Sequence, residues 1–139
     1  MTPTLIGRWQ TRVFLWLLVG LPVSVPFLVF GPLPLVVLGY ALVLGLGLDV
    51  WYDKQQKARW DHDWPVHKQL QAGLIEFGLL VFTLLGCCGC TGVLLAAAPV
   101  AAVVVPIHWW SVWWLSFWMT QGPMRVLFPR WRFRGGRVW

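Results

Sequence analysis

The sequence predicts an all-α, polytopic membrane protein. Four transmembrane helices are expected, arranged as two hairpins with both termini cytoplasmic, in a single domain spanning 1–139. Three observations carry this. Hydrophobic residues make up 58% of the chain and charged ones 12%, about half the charged share of an ordinary soluble domain. A core built from 139 residues is too small to hide that much apolar surface. The eleven Lys and Arg residues fall into three groups: Arg8 and Arg12, then Lys54, Lys57, Arg59 and Lys68, then Arg125, Arg130, Arg132, Arg134 and Arg137. Between these groups, 13–53 and 69–124 contain no basic residue. Finally, twelve tryptophans suit a membrane–water boundary, where the indole ring meets acyl chains and its N–H meets water.

A spanning helix needs about 20 mostly apolar residues. The first candidate covers about 13–30 and the second about 35–50, with GPLP (31–34) as the turn between them. The third covers about 70–86, and the CCGCTG stretch (87–92) makes the next turn. The fourth runs from about 93 to 115. Residues 51–69 then form a cytoplasmic loop and 120–139 a basic cytoplasmic tail. Both outer turns are short and uncharged, so all eleven basic residues share one side, which the positive-inside rule makes cytoplasmic. Arg8 and Arg12 resemble the start of a signal peptide, but the apolar run is long and no cleavage-like site follows, so the segment reads as a retained helix. Pro22, Pro26, Pro99 and Pro106 are expected to bend their helices. Small residues at four-residue spacing, such as Ala41 and Gly45, permit close helix approach.

Chemistry-bearing residues are few. Glu76 is the acid placed deepest in an apolar segment, about 9 Å past the start of the third helix. An ionisable group at that depth is either a proton or cation relay or a carboxylate paired with a snorkelling base such as Arg12 or Arg125. The middle loop holds Asp49, Asp53, Asp61, His62, Asp63 and His67, whose spacing matches no metal signature. Asp53 and Lys57 form an i,i+4 pair that suits continuation of the second helix, and Asp61-His62-Asp63 before Trp64-Pro65 reads as a turn and helix start. Cys87, Cys88 and Cys90 are too few for a structural zinc site, so they form a disulfide in the outer compartment or pack as small apolar residues.

The run HWWSVWWLSFW places His108, Trp109, Trp110, Trp113, Trp114 and Trp118 on one broad helix face. That face is either an interfacial aromatic belt or a wall against a quinone, pigment, lipid or neighbouring helix. In the tail, Arg125, Arg130, Arg132, Arg134 and Arg137 stay near the cytoplasmic leaflet, where each basic residue is worth roughly 1 kcal/mol. Trp131 and Phe133 are expected to dip into the interface between them. One RGG does not make a nucleic-acid-binding domain, so the tail is expected to meet lipid headgroups or an acidic partner. No nucleic acid is implied.

The stretches MTPTLIGRWQTR, KARWDHDWP and QGPMRVLFPRWRFRGGR together resemble a family of small bacterial four-helix membrane proteins. The resemblance implies a bacterial inner or internal photosynthetic membrane and a role for the cytoplasmic face. It carries no catalytic or ligand residue across. No nucleophile–base pair, phosphate loop, metal signature or paired carboxylates stand out in the sequence, and no cofactor is named by it. The expectation is a non-catalytic accessory or scaffold subunit that contacts the bilayer and other membrane subunits. The alternative is a small homo-oligomeric transporter or channel using Glu76.

Overall fold

The computed structural model describes residues 3–86 and 99–139. Among these the chain is all-helical, with no strand. Helix α1 occupies Leu5–Phe30 and α2 occupies Leu33–Lys57; both are long and apolar enough to cross a membrane. Helix α3 spans Val66–Gly86 and α4 spans Pro99–Gln121. Two short helices follow, α5 at Pro123–Leu127 and α6 at Pro129–Phe133. The expected turn at Cys87, Cys88 and Cys90, and the start of the fourth helix at 93–98, lie outside the described residues.

Each helix departs from its expected bounds for a local reason. The first starts at Leu5 rather than near 13, because Thr4 caps it: its Oγ1 accepts from the Gly7 N–H at 3.2 Å. Arg8 and Arg12 then continue the helix inside the fold instead of preceding it. Further along, Pro22 and Pro26 supply no N–H and crowd the preceding carbonyls. The backbone answers with a π turn at Trp16–Gly20, where the Leu21 N–H reaches back to the Trp16 carbonyl, and ends as a 3-10 helix at Val25–Phe30. The Ser24 hydroxyl donates to the Gly20 carbonyl at 2.7 Å. Gly31, at φ 102°, makes the turn into α2 in a conformation that favours glycine.

Helix α2 runs through Asp49 and Asp53 to Lys57, so the expected loop of 51–69 shrinks to the segment 58–65. Asp53 and Lys57 form the anticipated i,i+4 pair at 2.6 Å. The turn at Asp61-His62-Asp63 is present as expected. His62 takes a left-handed φ of 48°, and Arg59 donates to Asp61 through Nε and Nη2 at 3.1 and 3.0 Å. That hydrogen bonding holds the Asp61 carboxyl down at about 2. Gly122 ends α4, and Pro123 starts α5 at a position where the missing N–H costs nothing.

Two apolar clusters hold the helices together. Val37, Leu80 and Trp109 join α2, α3 and α4, with Phe77, Trp110 and Trp113 packed against them. Leu15, Val19, Met124 and Trp131 join α1 to α5 and α6. The Trp113 indole of α4 reaches across to Gly73 of α3 and packs there so tightly that an added methyl would overlap it. Gly73→Ala is therefore expected to destabilise the protein by about 1–3 kcal/mol through overpacking. Thermal unfolding in detergent should show this as a lowered midpoint, while Gly78→Ala, which meets nothing within 4 Å among the described residues, should leave the midpoint close to wild type.

Candidate functional site

Between α1, α2, α3 and α4 lies a cavity of about 260 Å3, lined at one level by His108, Trp109 and Trp16 and at another by Arg12, Asp49 and Glu76. The acidic part is built around Arg12. Its Nε and Nη2 donate to Asp49 at 2.9 and 3.0 Å, and its Nη1 and Nη2 donate to Glu76 at 3.1 and 2.8 Å. Four of the five guanidinium N–H groups are thus engaged by two carboxylates. The Asp49 and Glu76 side chains are 4% and 11% exposed, against 25% for Arg12, and all three line the cavity. Gly45 makes room for the guanidinium: a Cβ there would overlap it.

The anticipated pairing of Glu76 with Arg12 is therefore present. Asp49, assigned from sequence to the middle loop, is instead a second buried acid on the same arginine. One cation between two carboxylates leaves an excess negative charge, and Arg8 stands nearby on the same face of α1, one turn earlier. It donates from Nη2 to Gln56 Oε1 at 2.6 Å, and its guanidinium lies 4.3 Å from the centre of the Trp64 ring. Gln56 Nε2 in turn donates to the His62 carbonyl at 2.8 Å, which ties α1 to the 58–65 segment. A further polar chain closes the same end of the bundle. Gln69 Nε2 donates to Thr120 Oγ1 at 3.0 Å, Gln121 Nε2 to Gln69 Oε1 at 2.9 Å, and Arg125 Nη2 to Gln121 Oε1 at 2.7 Å.

The aromatic run does not form one face. His108, Trp109 and Thr120 are buried and line the cavity with the half-buried Trp113 and Phe117. Trp109 and Trp113 stack with centroids 6.2 Å apart, and Trp113 and Phe117 with centroids 5.3 Å apart. Trp110 is half-buried against Phe77, with centroids at 5.3 Å. Trp114 and Trp118 point outward and are exposed. Six aromatic positions in eleven residues cover more than the inward half of a helix, so the run divides between core and surface.

The tail is the largest departure from expectation. It does not trail from the bundle but folds back onto α1. The Thr4 N–H donates to the Gly135 carbonyl at 2.7 Å, Thr11 Oγ1 donates to the Gly136 carbonyl at 2.8 Å, and the Val138 N–H donates to Gln10 Oε1 at 3.1 Å. Trp131, expected to dip into lipid, is 4% exposed and donates from Nε1 to Thr11 Oγ1 at 2.7 Å. Gly135 and Gly136 have φ of 63° and 85°, which is why the RGG stretch serves as a turn. Gly7 presents a bare backbone to it: a Cβ there would overlap the Gly135 carbonyl. Arg125, Arg130, Arg134 and Arg137 remain exposed, as does Phe133; Arg132 lies in α6.

Among the described residues no three His, Cys, Asp or Glu side chains gather in a way that would hold a metal ion. Comparison with protein-family models, curated proteins and solved structures finds no match.

Proposed function

We propose that this chain is a multi-pass bacterial membrane protein with four spanning helices and cytoplasmic termini. It acts as a non-catalytic accessory or scaffold subunit of a membrane complex. Its bundle anchors in the bilayer, and its basic end docks anionic lipid or a partner. The observation that carries the reading is the convergence of three basic segments on one end of the bundle. Thr4 bonds Gly135, Arg8 bonds Gln56, and Gln69 bonds Thr120, which draws residues 4–12, 54–69 and 120–137 together. The tail's own hydrogen-bonding groups turn inward onto α1, while four of its arginines stay exposed. A rigid, outward-facing basic surface of this kind suits headgroup phosphates or an acidic protein surface.

The alternative, a homo-oligomeric transporter using Glu76, draws on the position of that acid at the cavity wall. Both Glu76 oxygens are engaged by Arg12, which favours a structural carboxylate over a mobile carrier. Purification from native membrane in mild detergent, followed by native mass spectrometry, separates the two. Discrete foreign subunits at fixed stoichiometry are expected. A symmetric assembly of this chain alone would overturn the subunit reading and support the transporter.

A further inference from the structure

We infer that the inner end of the central cavity binds a small hydroxylated aromatic molecule, whose hydroxyl donates to Nδ1 of His108 and whose ring lies among Trp16, Trp109 and Trp113. The inference goes beyond the scaffold reading and does not depend on it.

His108 is 1% exposed, and its hydrogen bonding fixes the form of the ring. Its Nε2 lies 2.8 Å from Ser24 Oγ. That hydroxyl has one hydrogen, and both contacts are satisfied together when it goes to the Gly20 carbonyl at 2.7 Å and the imidazole donates to Oγ, which assigns the hydrogen to Nε2. In the neutral ring Nδ1 is then a bare lone pair, and among the described residues this buried nitrogen has no partner. An unsatisfied buried acceptor is costly and calls for a donor.

The cavity supplies the room. His108 lines it, whereas Ser24, which occupies Nε2, and Phe27, which meets the ring in an edge arrangement with centroids 5.1 Å apart, do not. The whole cavity, from His108 past Arg12 to Gly136, measures about 260 Å3, more than the about 150 Å3 that takes benzene. Three indoles on the wall favour an aromatic body through offset or edge contacts. The lone pair selects the substituent: a ligand must bring a hydrogen. A phenol or quinol meets that demand, whereas a quinone or carboxylate offers only acceptors.

Phenol and toluene have nearly the same shape and differ in the donor. Binding of each to the full chain in detergent micelles is measured by ligand-observed NMR, for wild type and for His108→Leu. The ratio of phenol to toluene affinity is expected to fall about tenfold in the variant, the worth of one hydrogen bond to a buried acceptor. Comparing ratios cancels partitioning into detergent. A second variant that keeps His108 supplies an independent readout should His108→Leu fold poorly. With His62→Gln and His67→Gln leaving a single labelled imidazole, the Nδ1 resonance should start in the unprotonated range and shift with phenol but not with toluene. An unchanged affinity ratio, or an Nδ1 resonance indifferent to phenol, would overturn the assignment.

Discussion

Arg12→Leu is expected to be the most damaging single substitution in the bundle, with a loss of about 3 kcal/mol or more. Removing the guanidinium leaves Asp49 and Glu76 buried, close together and without a partner. Breaking a buried pair from one side typically costs about 3–5 kcal/mol. The quarter exposure of Arg12 places the expected loss near the lower end. Arg12→Lys should recover only part of it, because an ammonium cannot offer two carboxylates the paired donors of a planar fork. The decisive comparison is Arg12→Met combined with Asp49→Leu and Glu76→Leu, which removes the charges as a unit. That triple variant should unfold closer to wild type than Arg12→Leu does, since an apolar replacement of a buried ionic cluster is often neutral. Thermal or denaturant midpoints in one detergent rank all four proteins. A triple variant less stable than the single one would mean that the cluster stabilises the bundle beyond satisfying its own charges.

The second large effect is expected at Gly7. A methyl there overlaps the Gly135 carbonyl, and backbone cannot yield as the end of a flexible side chain can. Gly7→Ala should therefore lift the 129–139 segment from α1. It would lose the Thr4, Thr11 and Gln10 hydrogen bonds and draw Trp131 out of the cluster with Leu15, Val19 and Met124. Trypsin gives a direct readout. Cleavage after Arg130, Arg134 and Arg137 should be slow in the wild type and at least about tenfold faster in the variant, which corresponds to roughly 1.4 kcal/mol of lost docking energy if local opening limits cleavage. Equal cleavage rates would show that the tail opens readily in the wild type. Gly39→Ala, which meets nothing within 4 Å, is the control.

Both sites lie where sequence reading gave partial answers. Arg12 is legible in the sequence as a partner of Glu76, because a buried acid needs a base and few bases exist. Asp49 is not legible as the third member: it falls at the end of the expected second helix and groups with the acids of the middle loop, and nothing in its spacing signals that it faces Arg12. The aromatic run of α4 was visible as a run, but its division into an inner column and an outer set depends on where α3 presents Gly73.

The sequence by itself determined the helical character, the confinement of charge to three short segments and the turns at Gly31 and at Asp61-His62-Asp63. These follow from local composition, from backbone preferences of glycine and proline, and from the cost of exposing apolar surface to water. Only the tertiary structure decided which groups satisfy one another. The clamp of Arg12 between Asp49 and Glu76 joins positions 37 and 64 residues apart, and the contact of Thr4 with Gly135 spans 131. Such pairings depend on how rigid helices face each other, a property that no local pattern encodes. The same holds for the arginine-rich tail, whose Gly135 and Gly136 turn sharply against the bare backbone of Gly7.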